Sequence, residues 1–320
     1  MRSFGANMDS DMTLNKNRPI HTKKRKTKGS KREAVVGTVM ASVPLVGFII
    51  FGLIPLVLAL RMAFFEIDGY EIFDGEFVGF QNFSDVFNDP TFWKALLNTV
   101  KLGSSAIISQ VFALGIAYLL SKNPKGKKAF RIIFFIPYVC SVVAITLMWK
   151  NMFNTNYGII NVILGRTGDN AIDWMGDSKY FTWAVIIMSV WSGMGFGIIL
   201  YTAAFTNVNK SMVEAAKIDG ANEFQIFFKV VLPSISSTSF YLLVMGIIGA
   251  LQAFAVTNVL SPAGGPNGDG VTAVFWLYRR VIEYDNLLGV ASAGAWILAM
   301  LIMIITAAQF VLSKKWVNYD

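Results

Sequence analysis

One cysteine and one histidine are all that this chain of 320 residues offers to redox chemistry and soft metals. Cys140 has no partner for an internal disulfide, and it stands far in sequence from His21, so the two make no metal site. Charge is scarce too: 15% of the residues are Asp, Glu, Lys or Arg, against 54% hydrophobic. With a mean hydropathy of +0.53, that balance excludes an ordinary water-soluble domain, whose surface needs more charge than this. Catalytic signatures are also missing. There is no H-E-x-x-H, no G-x-S-x-G and no G-x-x-x-x-G-K-[ST]. The chain itself is therefore expected to hydrolyse no nucleotide and to carry no enzyme site, cofactor or metal.

What fills the sequence instead is long apolar runs. Bilayer crossing takes about 20 helical residues, and uncharged stretches of suitable character occur at Val35–Leu60, Leu102–Leu120, Ile132–Trp149, Phe181–Tyr201, Phe240–Val256 and Leu288–Leu312. The fold expected is an all-α integral membrane protein with six transmembrane helices. Most of the 28 lysines and arginines fall in the N-terminal tail, in 122–131, in 208–233 and after Leu312. By the positive-inside rule both termini are cytoplasmic. The net charge of +8 is then an orientation signal, and no nucleic-acid partner is implied. Residues 1–34, ending in "KKRKTKGSKR" (Lys23–Arg32), read as a basic disordered cytoplasmic tail that anchors orientation or touches anionic lipid. The transmembrane domain covers 35–312, and 313–320 is a short cytoplasmic end. No predicted span holds Asp, Glu, Lys, Arg or His, which disfavours coupling to a proton or sodium gradient.

One loop between spans carries a patterned run of acidic, basic and amide residues. "EAAKIDGANEFQIFFKVVLP" (Glu214–Pro233) lies in the cytoplasmic loop 208–233. Ser211 and Glu214 have capping-box spacing, and Gly220 suits a left-handed helix end. Asn222 can cap a second short helix, with Phe224, Phe227, Phe228 and Val231 as one apolar stripe until Pro233 breaks it. Amphipathicity alone allows two readings: an element lying on lipid, or a knob that docks into a partner protein.

The residues Glu214, Ala215, Ala216, then Asp219, Gly220, Ala221, then Pro233 resemble the EAA motif of permease subunits in binding-protein-dependent ABC importers. Further stretches, Phe77–Val100, Arg131–Asn161 and the Gly-rich Ser261–Gly270, are similar to the sugar-specific branch of that family. The branch is typified by the first maltose permease subunit and by its glycerol-phosphate and oligosaccharide relatives, although this chain lacks the maltose subunit's extra spans and large external insertion. The resemblance runs from the first span to the C-terminus and implies a type I ABC importer permease fold in a bacterial cytoplasmic membrane. It also implies partners: a homologous second permease, ATPase subunits that bind and hydrolyse the ATP, and an extracytoplasmic sugar-binding protein on loops such as Phe77–Trp93 and the stretch around Pro266. The elbow of two short helices would dock in the ATPase through Glu214 and the face near Asp219 and Gly220.

Trp191 lies midway along its span, deeper than the headgroup level that tryptophan prefers, so something other than lipid should face it. Gly193 and Gly197 around it form a G-x-x-x-G pair suited to helix packing, and the open space beside the ring equally suits a sugar face. The resemblance implies sugar contacts at Tyr138, Trp191, Gly193, Phe196 and Gly246, with Phe196 standing where the maltose subunit has tyrosine and Gly246 where it has serine. Gln252 adds an amide at membrane depth that needs a partner. The expected activity is import of a sugar, an oligosaccharide foremost, by alternating access driven by ATP hydrolysis in a separate subunit. Two other classes are weighed against it: an ion-coupled secondary transporter or channel, and a membrane enzyme built on the external acids Asp173 and Asp177.

Overall fold

The computed structural model describes residues 28–67, 71–122, 124–282 and 287–318, and the chain divides into two units, Met1–Val57 and Leu58–Asp320. In the first, α1 (Lys28–Phe48) passes through a π-helical turn (Ile49–Leu53) into α2 (Ile54–Met62), which runs on past the boundary. Residues 28–34 are thus helical and do not belong to a disordered tail, because Lys, Arg, Glu and Ala are good helix formers there. The remainder of the expected tail, with His21, lies outside the described residues. The π turn comes just before Pro55, whose missing N–H leaves a preceding carbonyl short of a donor.

The second unit opens with a small hairpin, β1 (Phe65–Glu66) against β2 (Glu76–Phe77), antiparallel with Phe65 opposite Phe77. This two-stranded piece is a minor exception to the all-α expectation. There follow α3 (Gln81–Asn88), α4 (Pro90–Ser121), α5 (Lys127–Val139), α6 (Val142–Met152), α7 (Ile159–Ile163) and α8 (Ser178–Thr206). Next come α9 (Lys210–Ile218), α10 (Glu223–Ile226), a second π turn (Phe227–Val231) and α11 (Leu232–Ser234). The last are α12 (Ser236–Leu251), α13 (Ala255–Leu260), α14 (Ala273–Ile282) and α15 (Leu288–Ser313).

Four helices among the described residues are long and apolar enough to cross a membrane: Lys31–Met62, α4, α8 and α15. Two bent pairs, α5 with α6 and Glu223–Ser234 with α12, raise the number to six if each counts as one span. The third expected span is therefore a corner of 101° and not a rod. Pro137 removes a donor from the last turn of α5, and Cys140 and Ser141 then turn extended, with ψ of 154° and 130°. The fifth run also stops short of Val256, because α12 ends at Leu251. Beyond it the freed Ala253 carbonyl accepts a hydrogen bond from the Thr272 hydroxyl at 2.6 Å, so the chain leaves the helix without an orphaned acceptor.

Helices α4 and α8 form the spine. Each is started by an aspartate: Asp89 accepts from the Thr91 amide at 2.7 Å and Asp177 from the Lys179 amide at 2.8 Å. Their contact is made by small residues, since a Cβ on Gly197 would stand 2.8 Å from that of Ala113, and one on Gly193 3.2 Å from the Ser109 hydroxyl. Close backbone approach of this kind is how helices gain van der Waals contact in lipid, where no hydrophobic effect drives them together. Ala113, Ala117, Ile198, Tyr201 and Leu242 make the buried centre of the contact. On another face of α8, Gly195 admits α5 so closely that a Cβ would lie 2.5 Å from the Phe134 carbonyl oxygen.

Candidate functional site

The elbow between α8 and α12 is built by four local devices. Asn209, not Ser211, caps α9: its side chain accepts from the Ser211 amide at 3.0 Å and from the Ser211 hydroxyl at 2.8 Å. The expected Ser211–Glu214 capping box is thus replaced by a cap two residues earlier, which leaves the Glu214 carboxylate exposed beside a cavity of about 450 Å³ that Tyr118, Thr202 and Phe205 also line. At the other end Gly220 takes φ +79°, and the Gly220 and Ala221 amides donate to the Lys217 and Ala216 carbonyls at 3.1 and 3.0 Å. That pair of bonds closes the helix as a left-handed glycine end should. Asn222 then caps α10 with Gln225 in a reciprocal box, each contact 2.9 Å.

The apolar stripe expected on the second helix is split. Phe224 and Phe228 are exposed while Ile226 and Val231 are buried. The π turn at Phe227–Val231 inserts an extra residue per turn and so shifts the register. It precedes Pro233, as the first π turn precedes Pro55. Pro233 does not end the helix; the break of 71° comes at Ile235. Glu214, Ala215, Asp219 and Gly220 lie exposed on α9 and its turn, with Ala216 and Ala221 half-buried. Beside them Ile218 is 86% exposed and Met212 51%, a level of apolar exposure that polar Glu214 and Asp219 only frame.

One attachment was not anticipated from the sequence. Glu223 accepts from Lys122 at 2.9 Å and from the Tyr118 hydroxyl at 3.3 Å, and Lys217 lies 3.9 Å away. The Tyr118 ring packs on Phe227 at 4.5 Å. The hydrogen bond from Lys122 holds the Glu223 carboxyl below its ordinary value of 4.5, and the same bond raises Lys122 above 10.5. The carboxylate's contribution is present above pH 4.5 and fades as pH falls through its lowered pKa; the lysine's is present below 10.5 and fades as pH rises through its raised one. Between those limits both groups are charged, and the elbow stays tied to the end of α4.

The residues expected along a solute path are partly gathered. Tyr138 on α5 stacks on Phe196 of α8 at 5.2 Å with 17° between the rings. Gly246 on α12 faces Ala106 and Gln110 of α4, at 3.6 and 3.9 Å from a Cβ built on it. Gly193 packs toward Ser109, as described. Trp191, half-buried, meets the Trp149 ring edge-on at 5.6 Å. Gln252 is the exposed C-cap of α12. The acids Asp173 and Asp177 have structural partners. Asp173 accepts from the Gly176 amide at 2.9 Å and the Thr155 hydroxyl at 3.2 Å, and Asp177 caps α8.

Residues 109–318 match the family described as "Binding-protein-dependent transport system inner membrane component". The chain belongs to this family. It is a membrane-embedded transport permease of the bacterial cytoplasmic membrane and not an enzyme. It is 32% identical over 302 residues to the probable ABC transporter permease protein YesP of Bacillus subtilis, covering 92% of this chain and 96% of that one. It is 31% identical over 306 residues to the arabinooligosaccharides transport system permease protein AraP of Halalkalibacterium halodurans, covering 94% and 95%. Among solved structures, a chain of the bacterial alginate ABC transporter in complex with alginate pentasaccharide-bound periplasmic protein superposes with a TM-score of 0.77 at 23% identity, over 90% of this chain and 96% of that one. That likeness gives the permease the type I importer fold.

Proposed function

We propose that the chain is one of two homologous permease subunits of an oligosaccharide importer, with six spans and both termini in the cytoplasm. The observation that carries the reading is the elbow: a capped, glycine-ended helix pair tied to α4, presenting Ile218 and Met212 to solvent between Glu214 and Asp219. Exposed apolar side chains framed by charge suit a protein cleft, and the ATPase subunits that bind and hydrolyse ATP supply it. Glu214, Ala215, Ala216, Asp219, Gly220, Ala221 and Pro233 form the docking element. When the ATPase dimer closes on ATP, the elbow follows as a rigid body and the path turns from inward- to outward-facing; hydrolysis resets it.

Solute arrives from an extracytoplasmic binding protein. Its expected seat includes the Phe77–Trp93 stretch, where Phe77 and Phe80 are 70% and 73% exposed. The loop around Pro266 is the other part, pinned by Asn98 to the Gly268 and Val271 carbonyls at 2.9 and 3.1 Å. The pentasaccharide-bound periplasmic protein of the alginate complex and the arabinooligosaccharides of the AraP system support an oligosaccharide cargo. Tyr138, Trp191, Gly193, Phe196 and Gly246 line the path. An ion-coupled mechanism has no support in the family match.

The test is uptake by proteoliposomes holding the two permeases, the ATPase and the binding protein. Uptake is expected to require internal ATP and to be indifferent to ionophores. Substituting Ile218→Glu is expected to release the ATPase from the membrane in a pull-down. Gradient-driven uptake without ATP, or an ATPase that stays bound to the I218E permease, would count against this reading.

A further inference from the structure

Gln110 is the one amide in the apolar run Leu102–Leu120. It stands on α4 where α8 and α12 both approach through glycine. Its Oε1 lies 2.9 Å from the place a Cβ on Gly197 would occupy, and its Nε2 lies 3.9 Å from the same place on Gly246. The amide thus fills a notch that two different helices leave open. The oxygen is shielded from solvent and accepts no hydrogen bond. An unpaired, shielded acceptor opposes folding, and a leucine of similar size would avoid that loss. A group of this kind is free to accept from a donor that arrives in another state of the protein.

The neighbours indicate which donor. Phe196, next to Gly197 in the chain, stacks on Tyr138, and Gly195 brings the Tyr138 Cβ to 3.2 Å from its own Cβ position. An aromatic pair that suits the C–H side of a sugar ring therefore stands on the α5-facing side of α8, while Gln110 meets α8 at Gly197, the next residue after Phe196. Gln110 adds to this part of the molecule an amide acceptor that has no partner.

We propose that Gln110 is a solute-recognition residue, whose amide oxygen accepts a hydrogen bond from a sugar hydroxyl as the sugar passes between α8 and α12. The inference rests on the importer reading above. It assigns the contact to a neutral hydroxyl, because a carbonyl oxygen attracts a donor and repels a carboxylate.

The experiment uses the complete importer in proteoliposomes, with labelled arabinotriose, xylotriose, maltotriose and diacetylchitobiose as probes, and compares wild type with Gln110→Leu and Gln110→Asn. For any sugar that wild type takes up, Q110L is expected to raise KM by ~10-fold while the maximal rate holds, since a lost hydrogen bond to substrate has about that effect. Its Tm is expected to equal or exceed wild type, because the unpaired acceptor is gone. Q110N, which keeps the amide on a shorter arm, is expected to fall between. An unchanged KM in Q110L overturns the inference alone. A Tm that falls in step with uptake in both variants assigns Gln110 to packing and also overturns it. ATP-dependent uptake of none of the four sugars by wild type defeats the neutral-oligosaccharide reading, and this inference with it.

Discussion

At the scale of single residues, the elbow depends on positions where only one backbone conformation will do. Gly220 has φ +79° and no heavy atom within 4 Å of a built Cβ. A side chain there meets no neighbour, so its whole effect is on the backbone, at ~1–2 kcal/mol for a β-branched residue in the left-handed region. Gly220→Val is expected to unwind the end of α9 and to cut ATP-driven uptake severely, with membrane levels on an immunoblot unchanged. Gly220→Asn, which tolerates that conformation, is expected to keep most activity. Such local demands were legible in the sequence, as were Asn222 and its cap. The start of α9 was not, because Asn209 and Ser211 are both good capping residues and the choice depends on how α8 delivers the chain. Glu223 and Gln110 escaped notice for another reason: their partners, Lys122 and the two glycines, are distant in sequence.

At the scale of elements, periodicity located the helices but not their corners. The run Ile132–Trp149 carries no charge, so hydropathy reads it as one crossing; the 101° turn at Cys140–Ser141 arises from a lost donor at Pro137 and a pair of extended residues. Both π turns lie directly ahead of a proline, which sequence reading took as a stop at Pro233. Contacts between elements were legible only in part: the Gly193–Gly197 pair pointed to packing, whereas Gly195, between them, makes the tightest approach of the three. A Cβ on Gly195 would stand 2.5 Å from a main-chain oxygen of α5, which cannot rotate away. Gly195→Ala is therefore expected to push α5 off α8, at about 1–3 kcal/mol by analogy with overpacked cores. The check is a lower Tm in detergent by scanning fluorimetry, with Gly249→Ala, where nothing lies within 4 Å, as the unchanged control.

At the scale of the whole molecule, the charge asymmetry and the apolar runs were enough for the fold class and the membrane, because lipid leaves few ways to satisfy a backbone. They predict that reporters fused after Asn318 and ahead of Val35 are both active in the cytoplasmic form, and that one inserted at Asn267 is active only outside. A fusion after Asn318 with the external phenotype would invert the topology. The corner between α5 and α6 has a practical use as well. Cys140, an exposed thiol and the chain's single one, stands at its vertex. A fluorophore coupled there would need no engineered background, and its emission would follow any straightening of that corner during turnover, in real time and in otherwise native protein.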